Sequence, residues 1–166
     1  LALIVFANLI VTFTKASASA SRINEVFALS PSVRETADKT VEADENAPEA
    51  EFESVCFSYN ADRLSLKNIS LKIPRGSTLG IIGATGSGKT TLVNLIPRFY
   101  DVTSGNVKYR GTNVKEYPFK QLREEIGIVA QKTGLFSGTI RENMQMGDES
   151  ITDETIVEAL KTAQAY

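Results

Sequence analysis

The chain has 166 residues, 42% of them hydrophobic, with 18 basic against 20 acidic residues for a net charge of −2. That is enough apolar material for one modest domain with appendages, which excludes wholesale disorder, and the even charge balance excludes a nucleic-acid partner, which calls for a basic excess. A single cysteine, Cys56, permits no internal disulfide and points to a reducing compartment, and with no histidine neither a structural zinc site nor histidine general-base chemistry is expected.

The opening stretch LALIVFANLIVTF is uncharged and strongly apolar. It is shorter than the roughly 20 residues that span a bilayer and lacks the basic start of a signal peptide. Two readings stand: a buried helix, or the last stretch of a membrane helix. Lys15 and Arg22 follow it, as the positive-inside tendency has it for a cytoplasmic exit. ASASAS (Ala16–Ser21) fits a flexible linker by composition, but alanine is the best helix former and small residues let helices pack closely. The helix is therefore expected to continue to about Leu29, with Ile23, Val26 and Phe27 on one side, until Ser30-Pro31 breaks it. From Arg34 to Glu53, eight acids and two bases give a local charge of −6; this reads as a solvated linker without chemistry. A first residue that is leucine, and a helical pattern still running at Tyr166, give the expectation that the chain is a piece of a longer polypeptide.

From Glu51 the pattern turns strand-like. EFESVCFSY and LKNISLKI are rich in β-formers and are separated by the turn cluster NADR. IPRGST (Ile73–Thr78) supplies Pro74 and Gly76 for a tight turn. LGII (Leu79–Ile82) is a continuous apolar run, as in a buried parallel strand. Leu92, Leu95, Ile96 and Phe99 then fall at helical spacing, closed by Pro97 and DVTSG. NVKYR and IGIVA read as further strands. Thr139 and Glu142 have capping-box spacing for a helix starting at Ile140. Thr152-Asp-Glu opens another helix, with Ile156, Val157 and Leu160 inward and two acids complementing its dipole.

Between LGII and the first of these helices lies GATGSGKTT, Gly83–Thr91. It matches G-x-x-x-x-G-K-[ST], in a strand–loop–helix context. Glycines let consecutive N–H groups turn inward without a Cβ in the way; those groups form a concave anion site, and the helix beginning there aims its positive end at it. The loop residues Gly83, Ala84, Thr85, Gly86, Ser87 and Gly88 are thus candidates to cradle phosphates. Lys89 brings a full positive charge to the terminal phosphates, the Thr90 hydroxyl reaches a phosphate-bound Mg²⁺, and Thr91 donates towards the α-phosphate. The motif alone does not choose between ATPase, GTPase and nucleotide kinase. A soluble GTPase or kinase would call for a guanine-reading N-K-x-D or a substrate lid, which are not seen, and would leave the apolar start unexplained.

Residues from about Glu51 to Tyr166 resemble the first half of the nucleotide-binding domain of an ABC exporter. The pieces that carry the resemblance are FSYN (Phe57–Asn60), LKNISLKIPRGSTLGIIGATGSGKTT, IGIVAQ, LFSGTIRENM and TDETIVEALKTAQA. The apolar start resembles the end of the last transmembrane helix of that family. The resemblance implies an α/β chain with a P-loop NTPase (RecA-like) core and an N-terminal antiparallel β subdomain, truncated, and preceded by the end of a transmembrane helix. Its divisions would be 1–29 for the helix and its cytoplasmic extension, 30–50 for the acidic linker, and 51–166 for the ATP-binding portion. Tyr59 would be the aromatic that stacks on adenine. Gln131 would be the Q-loop glutamine, a Mg²⁺ ligand beside Thr90 and, with Lys89, part of the hydrolytic machinery. Phe136 and its neighbours would face coupling helices. ATP and Mg²⁺ would be the cofactors. A second nucleotide-binding domain, in a homo- or heterodimer, the transmembrane domains and the lipid bilayer would be the partners, with the ATP-binding part on the cytoplasmic side of a cell membrane. Departures from the family pattern are Ala130, where proline is frequent, and Arg110, where aspartate is usual. These 166 residues contain no L-S-G-G-Q-type signature and no apolar strand ending in Asp-Glu. The expectation is a chain that binds ATP without turning it over and folds poorly alone. The alternative is a module in which ATP binding drives association and hydrolysis plays no part.

Overall fold

The computed structural model describes residues 2–60, 63–132 and 134–166. Contacts divide the chain into two compact units, Leu1–Ile126 and Gly127–Tyr166. Leu1 of the opening stretch and Ala61 and Asp62 of the NADR turn lie outside the described residues.

In the first unit, α1 runs from Ala2 to Ala28, one residue short of the expected end, and none of its 27 residues is buried. The alanine- and serine-rich part extends the helix, so α1 is long and apolar enough to cross a membrane, with a mean hydropathy of 1.5 over its most apolar window. The Thr12 and Thr14 hydroxyls donate to the carbonyls of Asn8 and Ile10, both at 2.8 Å. Their polarity is thus satisfied within the helix.

Four strands follow: β1 (Ala50–Phe57), β2 (Leu66–Ile73), β3 (Ser104–Tyr109) and β4 (Thr112–Asn113). They form one antiparallel sheet in the order β2-β1-β3-β4. Side chains alternate between faces along a strand, and the inner face carries Ala50 and Phe52, then Val55 and Phe57. The change of phase between Phe52 and Val55 is made by Ser54, an extra residue at φ 48°. In β2, Asn68 at φ 46° does the same between Leu66 and Ile69. Gly105 of β3 lies opposite the Ser54 bulge of β1 at φ 81°, and a Cβ there would come within 2.4 Å of the Glu53 carbonyl oxygen. Only glycine fits so close an approach.

Against the inner face pack Leu95 of α2 (Lys89–Leu95), Val114 of a 3-10 turn at Val114–Glu116, Tyr117, and Leu122 of α3 (Phe119–Glu124). Each large apolar side chain fully buried there contributes about 1.5–3 kcal/mol. Tyr117 is 1% exposed, and its hydroxyl donates to the Tyr109 carbonyl at 3.0 Å, which satisfies the one polar atom it buries.

LGII and IGIVA are not strands. A parallel strand takes hydrogen bonds from neighbours and cover from helices on both faces. No strand among the described residues pairs with either stretch, and Ile82 and Val129 are 100% and 95% exposed. Apolarity marks these runs as buried strands, but strand geometry requires a partner that the described residues do not supply.

The second unit holds α4 (Ile140–Met144) and α5 (Asp153–Thr162). The Thr139 hydroxyl accepts from the Glu142 amide at 3.1 Å while the Glu142 carboxylate accepts from the Thr139 amide at 2.6 Å, which is the expected capping box. Thr152 caps α5, which buries Ile156 and half-buries Val157 and Leu160.

Candidate functional site

Gly83–Thr91 joins the unpaired apolar run to α2. Thr85 and Gly86 make a turn, closed by the Ser87 amide donating to the Ala84 carbonyl at 3.2 Å. Gly88, at φ 90°, is the residue from which α2 starts. A Cβ on Gly88 would lie 2.8 Å from Leu66 Cδ2 and 3.0 Å from the Ser65 carbonyl oxygen. The loop therefore presses directly on the start of β2, and a side chain there would push it off. The amide of Leu92 makes the bond to the Gly88 carbonyl, at 2.8 Å. The amides of Lys89, Thr90 and Thr91 come before it and lie outside the helix's own ladder.

The Lys89 ammonium curls back over this loop. Nζ donates to the carbonyl oxygens of Gly83 at 2.7 Å and Ala84 at 2.8 Å, and to Ser87 Oγ at 3.4 Å. A charged donor held by neutral oxygens keeps its full charge available to an anion, and a charge-assisted bond to such an anion is the stronger one. Thr90 is exposed, so its hydroxyl is accessible. Thr91 is 7% exposed, and its hydroxyl is 3.0 Å from the Tyr59 hydroxyl.

Tyr59 stands just past the end of β1, about half exposed. Its ring meets Phe57 edge-on at 4.8 Å between centroids and Tyr100 edge-on at 5.1 Å. Edge-to-face contacts of this kind hold the ring in place and leave one side open. Between Tyr59 and Ser65 on one side and Gly86–Thr91 on the other lies a cavity of about 240 Å³. It adjoins, through Ser65 and Ser87, a cavity of about 670 Å³ reaching Arg63, Leu64, Lys67 and Ile69. Every charged residue lining the two cavities is basic: Arg63, Lys67 and Lys89. An aromatic face, the backbone amides at the start of α2 and an all-positive lining suit a ligand with a flat ring and a polyanionic tail. A divalent cation on such a tail would find an oxygen ligand in Thr90.

Of the sequence candidates, Tyr59, Gly86, Ser87, Gly88, Lys89, Thr90 and Thr91 line one cavity. Gly83 and Ala84 join them through Lys89, and Thr85 forms the turn between. Gln131 belongs to the second unit, where its side chain is exposed. Phe136 is 66% exposed; its amide donates to Asn143 Oδ1 at 2.8 Å, and Asn143 Nδ2 donates to the Phe136 carbonyl at 3.0 Å. Sequence reasoning passed over Ser65, Arg63 and Tyr100. Tyr100 follows Phe99 directly, and the helical spacing that marks Phe99 carries no signal for its neighbour.

Nor did the sequence mark Arg98, which is 2% exposed and has φ 55°. It pairs with Asp101 through Nε at 2.8 Å and Nη2 at 3.3 Å. Its Nη2 also donates to the Arg34 carbonyl at 3.0 Å and its Nη1 to the Lys115 carbonyl at 3.3 Å.

The profile of the ABC transporter family matches residues 66–165. The chain is 42% identical over 156 residues to YgaD of Bacillus subtilis (strain 168), an ATP-binding/permease protein; the match covers 93% of this chain and 27% of that protein. It is 46% identical over 117 residues to an ATP-binding/permease protein of Staphylococcus aureus (strain NCTC 8325 / PS 47), covering 70% of this chain and 20% of the relative. The names of both assign them provisionally to multidrug export. The chain thus spans about a quarter of the length of these relatives or less. Among solved structures, a bacterial Atm1-family ABC exporter with ATP bound matches with a TM-score of 0.80 and 28% identity, over 93% of this chain and 27% of that one. The antiparallel sheet is in accord with these matches, and the chain belongs to the ABC transporter family.

Proposed function

We propose that this chain binds ATP with Mg²⁺ and forms part of the ATPase of a membrane exporter. The observation that carries the reading is the single cavity that has Tyr59 at one side and the Lys89 loop at the other. The Tyr59 ring would stack on the adenine. The loop amides and the Lys89 ammonium would hold the phosphates, exchanging the carbonyl contacts of Lys89 for stronger charge-assisted bonds. Thr90 would hold Mg²⁺, which when bound neutralises charge on the transferring phosphoryl group. Gln131, assigned from its place after IGIVA, would be a second oxygen ligand or would position water.

In the longer protein, ATP hydrolysis would drive export across a cell membrane, with α1 ending in the bilayer and the ATP-binding part on the cytoplasmic side. A second ATP-binding domain would close over the nucleotide, and coupling helices of the transmembrane domains would meet the surface around Phe136. These 166 residues contain no histidine and no apolar run ending in Asp-Glu. On this reading the chain by itself would hold ATP without turning it over.

Calorimetric titration of ATP·Mg²⁺ into the chain and into Lys89→Ala tests the reading. Measurable affinity that the substitution largely removes is the expected result. Equal affinity in the two proteins overturns it.

A further inference from the structure

The segment between α1 and β1 has the composition of a free linker, yet its stretch 34–41 alone is fastened at four places to residues that follow β1. Arg98 donates to the Arg34 carbonyl at 3.0 Å. The Thr36 hydroxyl donates to the Lys115 carbonyl at 2.9 Å, the same oxygen that Arg98 Nη1 reaches. The Glu35 carboxylate accepts from the Phe119 amide at 2.8 Å, and so caps the start of α3, where Pro118 offers no side-chain cap. The Gln121 side chain makes both hydrogen bonds of a strand pair with Val41: Oε1 accepts from its amide at 2.9 Å and Nε2 donates to its carbonyl at 2.7 Å.

The first fastening has an unusual address. Arg98 follows α2 by three residues, and the far end of α2 is Lys89 and the glycine loop. Arg34 follows the end of α1 by six residues. A buried guanidinium thus joins the short helix that carries the loop to the chain that leaves the long apolar helix. Arg98 holds a left-handed backbone conformation that costs a non-glycine residue free energy. Such a conformation persists where surrounding contacts over-determine it, here Asp101, Arg34, Lys115 and the Phe119 ring 5.1 Å away. A buried charge tolerates few other arrangements, since losing one partner leaves it unpaired. The Arg98 side chain is thus the link between the end of α2 and the chain at Arg34.

We propose that Arg98 is a positioning residue through which seating of a nucleotide on the loop and seating of residues 34–41 on the domain are one coupled equilibrium. This rests on the nucleotide reading given above. By linkage, ATP then changes how firmly the strap is held, and loosening the strap changes ATP affinity by the same factor.

The experiment uses the full chain in lipid nanodiscs, with hydrogen exchange read at residues 34–41 with and without saturating ATP·Mg²⁺. Gln121→Ala and Glu35→Ala act at the strap's outer fastenings, far in sequence from the glycine loop. They keep the test open if Arg98→Ala fails to fold. The Val41 amide is expected to be protected in the unsubstituted chain and to lose on the order of tenfold protection in Gln121→Ala, as for one net hydrogen bond. ATP is expected to shift exchange in residues 34–41, and both substitutions to change ATP affinity by about fivefold or more, the low end of site-to-site coupling. ATP that binds without altering strap exchange, or an affinity untouched by both substitutions, overturns the coupling alone. Failure of the unsubstituted chain to bind ATP overturns the nucleotide reading and the coupling with it.

Discussion

The hydroxyl of Tyr59 lies 3.0 Å from the hydroxyl of Thr91, which ties the second residue past β1 to the first turn of α2. The aromatic wall and the glycine loop thus share a fixed spacing, although 32 residues separate their sequence positions. Tyr59→Ala removes both the ring and the tie. If the ring stacks on the base, ATP and GTP affinity should fall together by about 1–3 kcal/mol, because every base offers a π-face. Tyr59→Phe keeps the ring and should lose far less. Calorimetry with both nucleotides on both variants reads this; a loss confined to ATP would mean that Tyr59 reads the base edge.

Gly88→Ala should damage the loop in two ways. Its φ of 90° disfavours any Cβ, and the added methyl meets Leu66 Cδ2. The backbone conformation alone costs about 1–2 kcal/mol. A lower Tm together with weakened nucleotide binding is expected, whereas Gly80→Ala, with open space around its Cβ position, should leave both unchanged.

Acid should fray α4 through its cap. The Thr139 amide and then its hydroxyl hold the Glu142 carboxyl below its ordinary 4.5. A lowered value means that the contribution is complete above pH 4.5 and is lost as the pH falls through the lowered value. Protection factors of the amides in residues 140–144, which correct for the intrinsic pH dependence of exchange, should therefore fall as the pH drops below 4.5 in the unsubstituted chain. Glu142→Gln should remove that pH dependence.

Alkali should act on the sheet. Burial pushes the Tyr109 phenol up from 10.0 to about 12, so the folded state holds it neutral where an unfolded chain ionises. Its contribution is complete below pH 10 and is lost as the pH climbs towards 12. Denaturant midpoints measured from pH 8 to 12 should fall mainly above pH 10, and Tyr109→Phe should flatten that fall.

The sequence was most legible where a local rule sufficed. The Thr139–Glu142 box, the Thr152 cap and the β2 boundaries are set by neighbours within a few positions, and the structure has them where spacing puts them. The glycine loop was legible because its chemistry lies in a contiguous run. LGII misled because apolarity reports a preference for burial, while a parallel strand also needs partners from elsewhere in the chain. Arg98 was illegible for a related reason: its partners Arg34 and Lys115 lie 64 and 17 residues away, and they are backbone carbonyls, which any residue type provides. The same holds for Ser65, which meets Gly88 through its main chain.

Ser54 and Asn68 have a consequence for how the sheet is specified. Omit both, and β1 reads AEFEVCF and β2 reads LKISLKI, each an unbroken in-and-out alternation. The inward residues Phe52, Val55 and Phe57 would keep their order, as would Leu66, Ile69 and Leu71. What the two extra residues add is curvature, since a bulge bends and twists its strand. Shape and cohesion are thus encoded by different residues. A paired deletion would straighten this sheet and keep its core composition, while deleting Ser54 alone would leave a flattened strand against a bent one.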